Sequence, residues 1–340
     1  MEIRKLQKIR GGSFTLTLPK QWVEKRGLAT GEQIAVSEEE DGSLRLHPLE
    51  RATEKPLRVV LALEDYPDLT ALEYCIETYY IQGSNQINIV SEKIIPAEQK
   101  RRLKQLRMEL PGVEVSEEAA DKLSFQVLID PTTFSLESLI EKTSSFSRHL
   151  QEDAVESVLN WNFALAKEVI ERSREAQRHY RMTIRQVALS SMNRGIAERV
   201  GVKNCRECTT FALIARDLSR LVYHSSSIAR HILSLERKEK ASSEILQTIA
   251  EMSKIAHEMQ KEAVQAFLQA NYPLAIAVFG KMRSMRKKEE ALLKMILEKT
   301  EDMDTAVALS MIARDLRRIA GYAVAVADDA MNRVLTPTEF

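Results

Sequence analysis

The segment IARDLSRL at residues 214–221 returns as IARDLRRI at residues 312–319. A second pair, LNWNFALA at residues 159–166 and LQANYPLA at residues 268–275, is similarly related. The first pair is offset by 98 residues and the second by 109, so the first copy holds 11 additional residues between its two motifs. Such a repeat within one chain indicates two copies of a single supersecondary unit.

Apolar residues recur at helical spacing through both copies, which predicts three long antiparallel helices in each. The copies span residues 135–235 and 242–335 and are joined near residues 235–243. Ser135 is a suitable N-cap for the first helix. The additional residues of the first copy are expected around residues 193–208. The second half of the chain is therefore predicted to form two tandem three-helix bundles.

Composition limits the class of protein. The chain has 340 residues, of which 44% are hydrophobic and 29% charged, and its 49 basic residues balance 49 acidic ones. These values exclude a disordered or fibrous chain and a surface that is basic throughout. No apolar run reaches the length of roughly 18–20 residues that spans a bilayer, and three cysteines do not indicate a disulfide scaffold. We expect a cytoplasmic protein without membrane insertion.

The first 50 residues differ from the rest of the chain in their charge and in the pattern of their apolar residues. Residues 1–30 hold seven basic side chains against two acidic ones. Short alternating runs at 14–18, 34–36 and 44–46 are separated by glycines, which predicts a small β-unit. A short helix is predicted after Pro19, over residues 21–25.

The segment between this unit and the helical repeats has a third pattern of apolar residues. Strand-like apolar runs alternate there with segments of helical spacing, which predicts a small α/β module over residues 56–131. The expected strands cover residues 57–63, 86–90, 113–115 and 125–129, and the expected helices cover residues 69–82 and 96–110.

The amino-terminal pattern is specific. It consists of GSFTLTLPK at residues 12–20, the pairs Gly27-Leu28 and Gly31-Glu32, and the closing Pro48. This pattern resembles the AbrB/SpoVT/MazE family of swapped-hairpin DNA-binding domains. The resemblance implies a homodimer through residues 1–50, in which two chains interlace into one β-barrel whose basic loops face double-stranded DNA. The DNA-contacting candidates are Arg4, Lys5, Lys8, Arg10, Lys20 and Arg26.

The physical properties of the segment are compatible with that resemblance. A lone β-unit of about 50 residues has a poor core, and interlacing two copies increases its buried area. Doubling the basic segment would also focus positive potential on one face of the dimer. Two alternatives remain: the basic residues form an ordinary solvated surface, or the unit serves only for dimerisation or as an antitoxin.

The helical half resembles PhoU, the negative regulator of phosphate uptake, in its twofold repeat, its ARDL signatures and its Leu-Ala pairs at residues 165–166 and 274–275. The order of segments resembles archaeal PhoU-family regulators. The resemblance implies a mainly helical multidomain protein with a swapped-hairpin barrel head, an α/β linker module and two tandem bundles. Our main hypothesis is a DNA-binding transcriptional regulator of phosphate uptake. The alternative is an adaptor that contacts a phosphate transporter or a signalling kinase, with the head only dimerising.

One departure from the PhoU pattern concerns metal binding. The resemblance implies metal held by acids spaced four residues apart, because that spacing places two carboxylates on one helix face. None of the eight corresponding residues here is acidic, so we predict no metal and no other cofactor. The positions hold Ser173, Gln177, Ser219 and Tyr223 in the first copy, and Met282, Arg286, Arg317 and Gly321 in the second.

Basic residues lie near these positions, so the sequence leaves open what binds there instead of a metal. Arg178, Arg181 and Arg185, and a second group of Arg283, Arg286, Lys287 and Lys288, suit either an anion or the acidic face of a partner. A solvated basic face is the favoured interpretation.

Cys205 and Cys208 form a single C-x-x-C pair. A structural zinc needs two further ligands, and no second pair exists. Incidental cysteines are the favoured interpretation, a redox or regulatory pair is the first alternative, and a metal shared between subunits is the second. Nucleotide-binding, nucleophile-elbow and metalloprotease motifs are missing, so we predict that the protein is not an enzyme.

Overall fold

The structure is a computed structural model that describes residues 3–9, 11–38, 42–48 and 57–335. The chain divides into two compact units, Met1–Pro56 and Leu57–Phe340. Across the helices that the structure describes, none is both long and apolar enough to cross a bilayer.

The amino-terminal unit contains two antiparallel ladders and one helix. Strand β1 (Gln7–Lys8) pairs with β2 (Phe14–Thr15), and β3 (Ile34–Glu38) pairs with β4 (Leu44–Pro48). The predicted short helix, α1 (Lys20–Arg26), lies between them. The ladders are separate two-stranded sheets, so no closed barrel exists in the described part of this unit. A barrel completed by a second chain stays a prediction.

A four-stranded sheet follows, and residues of two helices pack against it in one hydrophobic core. The strand order is β5-β6-β8-β7, with β5 parallel to β6 and the other pairs antiparallel. The last strand begins three residues earlier than predicted, because a short turn at residues 119–121 returns the chain directly into the ladder. The elements are β5 (Arg58–Ala62), α2 (Leu69–Ile81), β6 (Gln86–Val90), α3 (Ala97–Gln105), β7 (Val113–Glu118) and β8 (Lys122–Val127).

The tandem three-helix bundles are confirmed. Ser135 caps the first helix as predicted, since its side chain accepts a hydrogen bond from the amide of Ser138 at 3.2 Å. The additional residues of the first copy form a short helix and its loops, where the second copy has a turn at residues 300–302. The helices are α4 (Leu136–Leu159), α5 (Phe163–Met192), α6 (Arg194–Arg199), α7 (Cys205–Leu233), α8 (Ser243–Leu268), α9 (Tyr272–Lys299) and α10 (Met303–Val334).

The LNWN and LQAN motifs form the same tight turn in each copy. Trp161 and Ala270 occupy equivalent positions and adopt left-handed backbone conformations, with φ of 55° and 49°. The following Asn162 and Asn271 cap the next helix, and each accepts a backbone hydrogen bond at 3.1 Å. The motif therefore recurs because it reverses the chain between the first two helices of each bundle.

The two bundles share one hydrophobic core, whereas the α/β module has its own. Helix α7 packs along α10, and α4 packs along α8. Gln151 and Gln260, which are equivalent in the repeat, hydrogen bond to each other between α4 and α8. Contact between equivalent residues indicates an approximate twofold axis at this point.

The paired asparagine caps give a stability prediction. Replacing Asn162 or Asn271 with alanine leaves an amide of the first helical turn without its acceptor, so each substitution is expected to lower the free energy of unfolding by about 0.5–2 kcal/mol. Urea denaturation measures the change. Asn332→Ala, at an exposed position near the end of α10, is the control and should change stability by less than about 0.5 kcal/mol. Equal effects of all three substitutions would contradict the assigned caps.

Candidate functional site

The basic residues predicted to contact DNA are exposed wherever the structure describes them. Lys8 lies with Nζ 5.9 Å from the ring centroid of Phe14. Lys20 forms an exposed ion pair with Glu24 at 3.6 Å. Arg10 lies outside the described residues. The exposed members of the set are Arg4, Lys5, Lys8, Lys20 and Arg26.

The amino-terminal unit has no buried residue among those described. Phe14 is 61% exposed and Leu44 67% exposed, although apolar side chains of this size normally form a core. An isolated two-stranded ladder is at best marginally stable in water. The unit therefore presents an apolar surface that a second surface would cover. The other large apolar side chains exposed in it are Ile3, Leu6, Ile9, Leu16 and Val36.

In the first bundle, neutral side chains occupy the positions where the family resemblance implies metal-binding acids. Helices α5 and α7 pack together there. Ser219 donates to Oε1 of Gln177 at 3.3 Å, and Ser173 donates to Oγ of Ser226 at 3.2 Å. Hydroxyl and amide groups that satisfy each other in this way make a poor site for a hard cation.

In the second bundle an ion pair takes the equivalent place. Arg317 Nε lies 2.9 Å from a carboxylate oxygen of Glu289, which joins α10 to α9. Within residues 3–9, 11–38, 42–48 and 57–335, no group of three or more His, Cys, Asp or Glu side chains is arranged to hold a metal ion.

The solvated basic face expected around Arg181 and Arg185 is wrong, because the α/β module covers this part of α5. Arg181 pairs with Glu77 at 2.7 Å and with Glu109 at 3.2 Å. Arg185 is buried, and burial lowers its pKa. Both guanidinium groups bind the module rather than solvent.

Arg185 binds the end of α2 through backbone carbonyls. It donates to the carbonyl oxygens of Tyr80, of Gly83 at 3.3 Å and of Ser84 at 3.0 Å. Carbonyls at a helix C-terminus carry partial negative charge, which compensates the buried cation. Gly83 has φ of 98°, and a Cβ there would approach Leu189 to 2.7 Å. The module is thus held on α5 by a close and specific contact.

A cleft of about 410 Å³ lies beside this contact, between α2, α3 and α5. Arg102 forms two hydrogen bonds with Glu73, at 2.7 and 2.6 Å, and Arg181 binds Glu77 across the cleft. Carboxylates therefore already neutralise both guanidinium groups, which argues against an anion site here.

A carboxylate between two imidazoles lies buried where α7 meets α10. Asp315 Oδ1 lies 2.8 Å from Nδ1 of His224, and its Oδ2 lies 3.4 Å from Nε2 of His231. Burial raises the pKa of Asp315, but hydrogen bonds from His224, His231 and Ser227 outweigh that effect and lower it to about 2. Sequence reasoning missed this cluster, although the seven-residue spacing of the histidines places them on one helix face.

The repeat-equivalent position on the same interface has two carboxylates instead. Asp217 corresponds to Asp315, and Asp329 corresponds to His231. Burial raises the pKa of Asp217, although neighbouring arginines oppose the shift. Burial, together with the charges of Asp217 and Asp328, raises the pKa of Asp329 to about 7. Protonated Asp329 therefore stands beside Asp217 in the position that His231 has beside Asp315.

Cys205 and Cys208 begin α7. Both thiols are free; Cys205 is exposed and Cys208 is buried. Burial raises the pKa of Cys208, a shift opposite to the activation that a redox thiol needs. A redox role for the pair stays a prediction.

Comparisons with known proteins match the helical half. A family model described as the PhoU domain matches residues 140–232 and 249–330, one match in each bundle. A crystal structure of PhoU from Pseudomonas aeruginosa aligns with a TM-score of 0.51 and 18% identity, covering 58% of this chain and 93% of that one. The phosphate transport system regulatory protein PhoU from Streptococcus pneumoniae aligns with a TM-score of 0.49 and 17% identity, covering 57% and 91%. A search of curated proteins found no significant match.

The carboxylate pair gives a pH prediction. Folded Asp329 keeps its proton to about pH 7, whereas the unfolded residue loses it near its ordinary pKa of 3.8. The unfolded state thus binds fewer protons between about pH 4 and pH 7, and this residue makes the free energy of unfolding fall as the pH rises, by on the order of 2–4 kcal/mol. Asp329→Asn should remove that decrease and stabilise the protein above pH 7.

Urea denaturation across this pH range measures the effect. Asp328→Asn, at the exposed neighbouring carboxylate, removes only one of the charges that raise the pKa of Asp329, so this comparison variant should reduce the pH dependence in part and not abolish it. Identical pH profiles for the two variants would show that Asp329 ionises normally in the folded protein.

Proposed function

The chain belongs to the PhoU family, and we propose that it regulates phosphate transport by binding other proteins through its helical bundles. The observation that carries this proposal is the match of the family model to both bundles, which together form one connected helical body. Long helices with charged outer faces suit protein contact.

The proposed partner is the ATPase subunit of a phosphate transporter or a signalling kinase, and the proposed place of action is the cytoplasm. The protein would act as a regulator rather than as an enzyme. We therefore prefer protein contact, which the sequence left as the alternative, to DNA binding. The comparisons match the bundles and give no support to a DNA-binding head.

DNA binding by the head is the second candidate function. It includes dimerisation through residues 1–50 and membership among the archaeal PhoU-family regulators. One observation favours it: the described part of the head is exposed in both its basic and its apolar side chains. A barrel formed with a second copy would cover the apolar side chains and bring two basic segments to one dimer.

One experiment separates the two candidates. We expect the full chain to bind the purified ATPase subunit of a phosphate transporter, measured by biolayer interferometry. The double variant Lys5→Glu/Lys8→Glu should bind that subunit with unchanged affinity, because the bundles make the contact. Lys25→Glu, a charge change elsewhere in the head, is the matched control.

The same proteins are then titrated with duplex DNA at several salt concentrations. A DNA-binding head would give a log–log salt slope near −0.9 for each phosphate contacted, and Lys5→Glu/Lys8→Glu would reduce both affinity and slope. Binding to DNA in this manner, without binding to the ATPase subunit or the kinase, would overturn the adaptor proposal.

A further inference from the structure

Helix α9 carries basic residues in two different environments. The lysines that face α8 are all paired with carboxylates of that helix. Lys281 pairs with Glu262 at 2.7 Å, and Lys288 pairs with Glu251 at 2.5 Å. Lys299 pairs with another α8 carboxylate. These lysines serve the packing of the bundle.

The basic residues on the outer side of α9 and α10 have no such partners. They are exposed, and none has an ion pair within the described part of the chain. Arg317, by contrast, pairs with Glu289, and that pair shows which residues of the two antiparallel helices are adjacent. Residues 314–321 of α10 therefore lie alongside residues 285–292 of α9. The unpaired residues are Arg283, Arg286, Lys287, Arg314 and Arg318.

Each of the two helices also carries a glycine beside its exposed cations. Gly280 precedes Arg283 and Lys287 by three and seven residues, and Gly321 follows Arg318 and Arg314 by the same spacings, so each glycine shares a helix face with two cations. A Cβ at either glycine would meet no atom within 4 Å. Glycine inside a helix costs about 1 kcal/mol relative to alanine, and no contact in the described structure requires that loss.

The first bundle shows what a filled version of this surface looks like. Four of its five repeat-equivalent residues are also basic, but Gln177 corresponds to Arg286, and the residue equivalent to Gly321 is Tyr223. Tyr223 is 51% exposed, and the guanidinium of Arg230 lies 5.5 Å from its ring centroid. The residue equivalent to Gly280 is Glu171, which lowers the positive charge. Among the described residues, the second bundle thus combines exposed, unpaired cations with open helix faces, whereas Glu171 and Tyr223 occupy the equivalent positions in the first.

We propose that the outer face of α9 and α10 is a docking surface for an acidic helical segment of the regulated protein. The glycines admit a helix backbone at close approach, and the arginines form charge-assisted hydrogen bonds with its carboxylates. A point anion would gain nothing from the bare helix faces. The inference rests on the proposed function and names the surface that performs it.

The test compares matched variants of the full chain binding the transporter's ATPase subunit. Arg283→Glu/Lys287→Glu should weaken binding by at least about tenfold, because like charges then oppose each other. Arg174→Glu/Arg178→Glu makes the same change at the equivalent positions of the first bundle and should alter affinity by less than about twofold. Equal losses in both variants would overturn the assignment to the second bundle.

A second variant separates shape from charge. Gly321→Tyr copies the first bundle without changing any charge, and we expect it to weaken binding while the thermal unfolding midpoint stays near that of wild type. Gly321→Ala should raise the midpoint and retain most of the affinity. Unchanged affinity of Gly321→Tyr would rule out a helix backbone approaching this face.

A third measurement keeps the inference distinct from the proposed function. A helical peptide rich in glutamate should bind wild type in a salt-dependent manner and lose affinity for Arg283→Glu/Lys287→Glu. Binding to the peptide without binding to the ATPase subunit or the kinase would refute the proposed function alone. Loss of duplex DNA binding in this variant, with peptide binding unaffected, would assign the surface to nucleic acid and overturn the inference.

Discussion

The packing of α7 against α10 is the constraint on which the helical body depends. These helices carry the two copies of the IARDL motif, and their isoleucines and leucines are buried in one core that both bundles share. The burial forces the motif's aspartates into the same interface. One, Asp315, is stabilised by His224 and His231, whereas the other, Asp217, faces Asp329. The repeat therefore sets the fold. Two differences between its copies, Asp329 in place of His231 and Tyr322 in place of His224, make the interface electrostatically asymmetric.

Much of this body follows from the sequence. The offsets of 98 and 109 residues place the inserted residues correctly between α5 and α7, and the N-cap at Ser135 marks where the bundles begin. Helical periodicity also predicts which faces are apolar. It does not show what covers a polar face: Arg181 and Arg185 have the spacing of an exposed basic stripe, yet the α/β module buries or pairs them through Glu77 and the carbonyls after α2. Contacts between distant segments decide such residues.

The amino-terminal unit shows a different limit. Its motifs predict strands and a short helix, which are present, but its apolar side chains stay exposed within one chain. The contacts within one chain do not show what covers these side chains, so they establish neither a barrel nor a DNA-binding surface. In the bundles, Gln177 and Ser219 form a hydrogen bond and Arg317 forms an ion pair at positions where the family resemblance implies metal-binding acids. The proposed recognition of a partner would then use the cations that these contacts leave unpaired.

The central claim is that α7 and α10 join the two bundles into one cooperative body. Native-state hydrogen exchange of the full chain tests it most directly, because it measures the opening free energy of each helix. The account predicts that the buried amides of α7 and α10 open together, with the free energy of global unfolding. Opening of α8, α9 and α10 at a distinctly lower free energy than α4, α5 and α7 would show that the bundles are independent, and would contradict the account.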